Sequence, residues 1–455
     1  MSKLYRDFIA GKSQLGGMHG FAPLWLPDFL FGFQRSLVDW AVRRGRAAIF
    51  ADCGLGKTPM FLVWAENVVR RTNRPVLVLT TLGDADQTVR EAEKFGVDAV
   101  RSRDGRVRPG SRVVVANYDR LSKFSPSDFA GVAANESSIL KNFDGKTKAA
   151  VTEFLRTLPF RLLCTATAAP NDEFELGTSS EALGELGHHD MLSRFFRQQL
   201  AARGTVGWGH DTHVLRKHAE RDFWRWVCSW ARAVRKPSDL GFDDGPFLLP
   251  PLLTREHVVP SPPAPAGMLF RMPAATLMDQ REEERASVAS RCEKAAELAA
   301  GSDPVVCWCY RNDEADLLER LVPGSVQVSG ADRDEEKEEK LAAFGSGQVR
   351  AMVTKPKVAG FGLNWQHCSR QVFFPSHSFE SYYQAVRRCW RFGQSRPVTV
   401  DIVTTEGVRG VLDNLRRKSE AADRMFARLV ELMNQALNVA SAPPPPNPVE
   451  VPSWL

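Results

Sequence analysis

The amino-acid sequence predicts an α/β protein built from two similar units, and three observations support this prediction. Short apolar runs of strand length alternate with segments whose apolar residues recur at helical spacing, once within residues 47–167 and again within residues 305–404. Strand–helix alternation favours a parallel sheet with helices on both faces. A segment rich in His, Trp and Arg separates the two blocks, so the 455 residues divide into domains.

The first block, residues 1–175, is the first predicted domain. Its stretch FAGVAANESS (129–138) reads as the end of a strand, and PMFLVWAENVVRR and DADQTVREAEKF carry apolar residues at helical spacing. The other candidate buried strands are AAIFAD (47–52), PVLVLT (75–80), RVVVANY (112–118) and RLLCTAT (161–167). These patterns predict one sheet flanked by helices.

The middle segment, residues 176–267, is predicted to be a helical insertion that ends in a linker. Residues 176–250 look helical, and within FWRWVCSWA the side chains of Trp226 and Trp230 are four positions apart on one helix face. Such a stripe is more typical of a packed core than of a ligand site. The Pro-rich stretch PLLTREHVVPSPPAPAG (251–267) is predicted to be the linker.

The second block, residues 268–406, is the second predicted domain. The segment NDEADLLERL between its strands has a helical pattern. Its candidate strands are VVCWCY (305–310), SVQVSG (325–330), QVRAMVT (348–354), RQVFFP (370–375) and PVTVDIVT (397–404). The last segment, residues 407–455, is predicted to hold a helix over 407–438 and a disordered or extended tail, ASAPPPPNPVEVPSWL, which could dock on another protein.

Composition excludes some classes of protein and leaves others open. Hydrophobic residues make up 43% and charged residues 25%, as in an ordinary globular protein, and no apolar run reaches 18 residues, so no membrane span is expected. The eight cysteines form no CxxC pair, which indicates reduced thiols in a cytoplasmic protein rather than zinc ligands. The net charge of +6 permits a polyanionic partner without proving one.

The segment ADCGLGKT (51–58) has the features of a phosphate-binding loop. It lies between a predicted strand and a predicted helix, where Gly54 and Gly56 would let backbone N–H groups approach phosphate oxygens. Lys57 would reach the β- and γ-phosphates of ATP, and the Thr58 hydroxyl would bind Mg²⁺. The strict pattern requires glycine where this chain has Ala51, so the alternative is a glycine turn with a surface lysine.

Four motifs in order resemble those of superfamily-two helicases: GLGKT, NESS (135–138), TAT (165–167) and QAVRRCWRFGQ (384–394). The last resembles the Swi/Snf-like branch in particular, and HAERDFWRWVCSWARAVRKPSDLGFDD is similar to a segment of the compact helicases of phages and mobile elements. The resemblance covers about residues 30–405. It implies two RecA-like domains with ATP in the cleft between them and nucleic acid across the top, in a prokaryotic or phage-infected cell.

The resemblance assigns roles to several residues of the nucleotide site. Phe33 and Gln34 match the adenine-reading motif, and a glutamine amide can both donate to and accept from adenine. Glu136 matches the residue that activates the attacking water. Gly362, within GFGLNW (360–365), matches a motif that touches the nucleotide and the nucleic-acid backbone.

Gln384, Arg388 and Arg391 match the sixth helicase motif, and their spacing supports the match. Positions separated by four and by three share one helix face, so two guanidiniums could clamp a γ-phosphate held by the other domain. An arginine finger contributes roughly 10³- to 10⁵-fold to the rate. The alternative is a basic, solvated helix face. Arg387 does not share the face and is expected to serve structure or to contact backbone phosphate.

Asn135 stands where the family has an aspartate that holds magnesium. An asparagine offers a carbonyl oxygen without charge, and losing one outer partner of a metal typically costs about 10- to 100-fold in affinity or activity. With Thr58, Asn135 and Glu136 as the predicted magnesium-binding set, hydrolysis should be weakened rather than abolished. Three explanations stay open: an engineered Asp→Asn change that traps a bound state, a naturally slow ATPase, or a binding module gated by ATP.

The resemblance also places nucleic acid, preferably duplex or branched DNA, on the loops after the strands. Motors of this type grip the sugar–phosphate backbone and are largely indifferent to sequence. The candidate contact residues are Thr81, Asn117, Lys141, Thr165, Thr167, Lys355 and Lys357. Thr165 and Thr167 also match the motif that couples hydrolysis to strand movement.

These features together predict an ATP-dependent translocase that moves on duplex or branched DNA and uses ATP and Mg²⁺. Two alternatives remain. One is a helicase that separates strands of DNA or RNA. The other is a non-catalytic module that clamps DNA when ATP binds, with Asn135 as its signature.

Overall fold

A computed structural model of the protein describes residues 17–141, 145–169, 172–199, 212–260, 277–359 and 364–441. Two parallel sheets flanked by helices confirm the predicted α/β fold class with two tandem RecA-like domains. The prediction for Gly362, the tail from residue 442 onwards, and the end of the predicted linker (261–267) lie outside the described residues. In the part of the chain that the structure describes, no helix is long and apolar enough to cross a membrane.

The first sheet has seven parallel strands, and a separate pair of strands forms an antiparallel hairpin. The strands of this half of the chain are β1 (Arg46–Ala51), β2 (Val76–Thr80), β3 (Ala99–Arg101), β4 (Val113–Asn117), β5 (Gly131–Asn135), β6 (Phe160–Thr165), β7 (Phe196–Gln199), β8 (Thr212–Leu215) and β9 (Ala231–Val234). The sheet runs in the order β3-β4-β2-β5-β6-β1-β9, and β7 pairs with β8. The loops after β1, β2 and β5 therefore meet at one edge of the sheet.

Helices connect these strands and cover the sheet. They are α1 (Gly32–Arg44), α2 (Lys57–Thr72), α3 (Leu82–Lys94), α4 (Lys146–Thr157), α5 (Leu176–Leu183), α6 (His188–Phe195) and α7 (Glu220–Trp230). Every residue of β2 and β5 is buried, as expected for central strands of a parallel sheet with both faces covered.

The second sheet has six parallel strands in the order β10-β15-β14-β11-β13-β12. The strands are β10 (Leu252–Val259), β11 (Val305–Trp308), β12 (Ser325–Val328), β13 (Ala351–Thr354), β14 (Arg370–Phe373) and β15 (Val398–Thr405). The helices are α8 (Leu277–Ala286), α9 (Val288–Leu298), α10 (Asn312–Leu321), α11 (Asp334–Gly345), α12 (Pro356–Ala359), α13 (Phe379–Val386) and α14 (Arg409–Ser441). The five strands predicted from apolar runs in this half of the chain all form.

The segment between the sheets differs from the predicted helical insertion and linker. β9 lies within the predicted insertion yet extends the first sheet beside β1, and the hairpin of β7 and β8 precedes it. β10 lies within the predicted linker yet pairs with β15 along eight residues. β10 is an edge strand whose side chains are mostly exposed, so its composition resembles that of a loop. The first domain thus gains a strand from beyond residue 175, and the second gains one from before residue 268.

The tryptophans of α7 are part of the core of the first domain, as their spacing predicts. Trp226 and Trp230 are both buried, and their rings lie 5.5 Å apart. Trp230 also meets Phe50 of β1 edge-to-face at 6.2 Å. These contacts fasten the segment between the domains to the first sheet.

The C-terminal helix α14 joins the cores of the two domains. Leu412 and Leu415 near its start pack in the core of the second domain, whereas Leu429 and Met433 pack in the core of the first. Asp423, between these two groups, accepts a 2.6 Å hydrogen bond from Arg235. One continuous helix therefore ties the second sheet to the first.

Replacing Leu429 by alanine should lower the free energy of unfolding by roughly 2–5 kcal/mol, because the change leaves a cavity in the core of the first domain. Urea unfolding followed by tryptophan fluorescence measures the loss. The matched control is Arg424→Ala on the exposed face of α14, which should cost about 0.5 kcal/mol or less. Equal effects of the two changes would contradict the packing of α14 against the first domain.

Candidate active site between the two domains

A cavity of about 420 Å³ lies between the two domains, at the edge of the first sheet where the loops after β1, β2 and β5 meet. Side chains of both domains line it. Of the residues predicted from the sequence for the nucleotide site, it brings together Gln34, Gly54, Gly56, Lys57, Thr58, Asn135, Glu136, Arg388 and Arg391. Residues more than 300 positions apart in the chain thus meet in one site.

The phosphate-loop segment connects β1 to α2 in the way that its sequence predicts. Gly54 and Gly56 adopt φ angles of 87° and 72°, which side-chain-bearing residues rarely adopt. A Cβ atom on Gly56 would also lie 2.4 Å from Gln34 Nε2, so both the backbone conformation and this close approach favour glycine. Lys57 begins α2, and its Nζ donates to the carbonyl oxygen of Ala51 at 3.0 Å. The side chain of Lys57 therefore turns back toward the loop that is predicted to bind phosphate.

Glu136 has an unusual backbone conformation directly after β5. Its φ of 54° is one of two positive values among the described non-glycine residues; the other, at Asn73, caps the end of α2. The side chain is only 8% exposed, and no described residue hydrogen-bonds its Oε2. Strained backbone and a buried carboxylate oxygen without a partner are typical of functional positions. Both observations agree with Glu136 as the residue that orients a water.

Asn135 ends β5 and lines the cavity beside Glu136. Its Nδ2 donates to Thr80 Oγ1 at 3.2 Å, and its backbone oxygen accepts from the hydroxyl of Tyr118 at 2.7 Å. The amide group thus connects the ends of β5 and β2. It brings no negative charge to the site.

Arg388 and Arg391 line the cavity, although they do not lie on one helix face as predicted. α13 ends at Val386, and both arginines follow in the turns beyond it. Burial, and then the neighbouring charge of Arg388, lower the pKa of Arg391 to about 10, which leaves Arg391 charged at neutral pH. Gln384 is 1% exposed and does not line the cavity, and neither polar atom of its amide has a described hydrogen-bond partner.

Arg387 has a role at the site that its position in the motif did not predict. It forms a buried ion pair with Asp52 of the phosphate loop, and the hydroxyl of Tyr383 donates to the same carboxylate. Its guanidinium also lies 4.6 Å from the ring of Trp390. Burial lowers the pKa of Arg387, but the interactions with Asp52, Tyr383 and Cys53 together outweigh it and raise the pKa. This ion pair holds the second domain against the first beside the cavity.

The aromatic side chains at the mouth of the cavity are not the predicted ones. Phe33 is buried in the core and does not line the cavity, whereas Phe31, Phe247 and Phe392 do. The ring of Phe247 lies 4.9 Å from that of Phe31 and 4.9 Å from that of Phe392. Rings of this kind offer flat apolar surface on which an adenine could stack. The PF dipeptide of Phe247, in a turn before β10, carries no local signal for this role.

Gln34 lines the cavity, but its amide also supports the fold. Its Nε2 donates to the carbonyl oxygen of Leu55 at 2.9 Å, and its Oε1 accepts from the backbone N–H of Phe31 at 3.1 Å. An amide has two donor hydrogens and two acceptor lone pairs, so one of each remains for a base. Gln34 thereby connects the start of α1 to the phosphate loop.

The residues of this cavity fit a magnesium nucleotide. The cavity contains one lysine, two arginines and glycines at which an added Cβ atom would clash, and this combination suits a triphosphate. Thr58, Asn135 and Glu136 supply oxygen atoms near it. Among the described residues, no three His, Cys, Asp or Glu side chains cluster as a metal site of their own. Mg²⁺ that arrives with a nucleotide needs only one or two protein groups, because phosphates and waters complete its shell.

A second cavity, of about 400 Å³, shares Glu136 with the first. It brings together four of the predicted nucleic-acid contacts: Thr81, Asn117, Lys141 and Lys357. Lys141 also forms an ion pair with Glu380 of the second domain. The cavity therefore crosses the same domain boundary as the first one.

The other predicted nucleic-acid contacts lie outside the lining of this cavity. Thr165 and Thr167 are buried, and Thr167 Oγ1 lies 3.4 Å from Glu380 Oε1 on α13. Lys355 forms a hydrogen bond with Asn312. Thr167 thus contacts the second domain through Glu380.

Neither models of protein families nor the sequences of curated proteins match this chain.

Replacing Arg387 by alanine should lower the free energy of unfolding by roughly 3–5 kcal/mol, because it leaves the buried carboxylate of Asp52 unpaired. The control, Arg409→Ala, breaks an exposed ion pair and should cost about 1 kcal/mol or less. Urea unfolding measures both. The double change Asp52→Asn with Arg387→Ala should cost less than the sum of the single changes, and strict additivity would contradict the ion pair.

Proposed function

We propose that this protein is a nucleic-acid-dependent ATPase of the helicase type, which couples ATP hydrolysis to movement on duplex or branched DNA. The observation that supports this most strongly is that Lys57 of one domain and Arg388 and Arg391 of the other line a single cavity. A triphosphate bound there would contact both domains at once. Hydrolysis would then change the attraction between them.

In the proposed reaction, different residues of the cavity have different roles. Lys57 and the loop that contains Gly54 and Gly56 hold the phosphates, and Glu136 orients a water for attack. Arg388 and Arg391 stabilise the charge that develops on the phosphoryl oxygens. Magnesium, when bound with the nucleotide, neutralises part of that charge. The buried position of Glu136 strengthens its hold on the water.

The second cavity supports nucleic acid as the partner of the ATPase. Lys141 and Lys357 come from different domains, and the amide of Asn117 can contact phosphate and sugar oxygens. Because Glu136 belongs to both cavities, a ligand in one can shift the carboxylate that serves the other. This sharing offers a direct route for DNA to stimulate hydrolysis.

A second candidate function is favoured by Asn135 alone. A module that binds DNA when ATP binds, without turnover, needs the phosphate loop and the arginines but not an efficient magnesium site. In that case the change Asn135→Asp would create hydrolysis that the unchanged protein lacks. If the unchanged protein hydrolyses ATP, the module is excluded.

ATP turnover measured with duplex DNA, single-stranded DNA and RNA tests the proposal. We expect duplex DNA to stimulate turnover most, whereas stimulation by single strands or RNA would favour a strand-separating helicase. Arg391→Ala should leave ATP binding nearly intact and reduce turnover by roughly 10³- to 10⁵-fold. The matched control, Arg396→Ala, removes an exposed arginine outside the cavity and should change neither. Turnover that survives Arg391→Ala would contradict the proposal.

A further inference from the structure

Asp84 is an acidic residue of the cavity to which neither the motifs nor the resemblance assigns a function. It lies in the first turn of α3 and is only 7% exposed, yet it lines the cavity with Asn135 and Glu136. The hydroxyl of Thr81 donates to its Oδ2 at 2.9 Å. This contact fixes the carboxylate and occupies only part of its acceptor capacity.

The fold explains why this side chain reaches the site. β2 and β5 are neighbours in the sheet, and α3 begins immediately after β2. The first turn of α3 therefore lies at the edge where β5 delivers Asn135, and Asn135 Nδ2 is within 3.2 Å of Thr80 Oγ1 at the end of β2. The carboxylate of Asp84, four residues beyond Thr80, thus lines the same cavity as the amide of Asn135.

Glu91 and Glu136 are the other acids that line the cavity. Glu91 accepts a 2.7 Å hydrogen bond from Gln87, and Asp52, which lies beside the cavity, is bound by Arg387 and Tyr383. Glu136, in contrast, has a buried oxygen, Oε2, that no described residue bonds. That oxygen is an independent indication that the cavity is built for a ligand with positive or hydrogen-bonding groups.

We propose that Asp84 supplies the carboxylate that binds the hydrated magnesium ion of the nucleotide, in place of the charge that Asn135 lacks. This inference rests on the proposed ATPase function and specifies how its metal is held. Glu136 is then free to orient the attacking water. Asn135 contributes its amide to the contact between β5 and β2.

A competing role for Asp84 involves the arginine beside it. Burial raises the pKa of the Asp84 carboxyl to about 6, and the charge of Arg388 acts against that rise, so Asp84 could instead position Arg388. The two roles differ in their dependence on metal. A magnesium-binding group matters only when Mg²⁺ is present, whereas a residue that positions Arg388 acts in its absence as well.

The test compares the affinity for a non-hydrolysable ATP analogue with Mg²⁺ and with EDTA, measured by calorimetry on the full chain. Asp84→Asn should reduce the gain in affinity that Mg²⁺ provides by about 10- to 100-fold and leave the affinity in EDTA unchanged. Adding Asn135→Asp to Asp84→Asn should restore the gain. The matched control, Asp86→Asn, removes the same charge two residues further along α3, where Asp86 pairs with Arg101 outside the cavity, and should have no effect.

Two results would overturn the inference while leaving the proposed function intact: an unchanged gain from Mg²⁺ in Asp84→Asn, or an equal loss of affinity with and without the metal. The second result would assign Asp84 to Arg388 instead. Binding of Mn²⁺ to the nucleotide complex, followed by its electron paramagnetic resonance signal, gives a readout that does not depend on activity. If the unchanged chain binds no nucleotide under either condition, the proposed function itself fails.

Discussion

The burial of charged groups where the two domains meet is the constraint on which the rest of this structure depends. Arg387 is neutralised by Asp52 across the domain boundary, and this ion pair brings Arg388 and Arg391 to the phosphate loop. Burying cations together is costly unless anions accompany them. This cost appears in the pKa of Arg391, which is lowered first by burial and then by the charge of Arg388. The geometry of the interface and the electrostatics of the cavity therefore depend on the same buried charges.

Several contacts besides the ion pair of Asp52 hold the two domains together. The helix α14 packs in both cores, and Glu380 on α13 contacts both Lys141 and Thr167 of the first domain. These contacts lie on the side of the second cavity, whereas the ion pair of Asp52 lies beside the first. The two cavities therefore border different parts of the same interface between the domains.

Much of the fold could be predicted from the sequence, because the central strands of a parallel sheet are continuous apolar runs. Helices with a clear apolar periodicity could be predicted as well, and α10 begins and ends at the residues of its pattern. β10 could not be predicted, because the composition of an exposed edge strand resembles that of a loop. The turn between β1 and the helix that begins at Lys57 was predictable, because glycine acts on the local backbone. The ion pair of Asp52 and Arg387 joins residues 335 positions apart, and Phe247 reaches the cavity from a turn between domains, so neither has a local pattern. Asp84 could not be identified as a residue of the site, because an acidic residue in the first turn of an amphipathic helix is common.

The central claim is that a triphosphate binds between Lys57 and the two arginines. An experimental structure with a non-hydrolysable ATP analogue and Mg²⁺ tests it most directly. The account predicts phosphate oxygens within hydrogen-bond distance of Lys57 Nζ and of the guanidinium of Arg391 in the same molecule. A nucleotide bound elsewhere, or bound by Lys57 with both arginines directed into solvent, would contradict it.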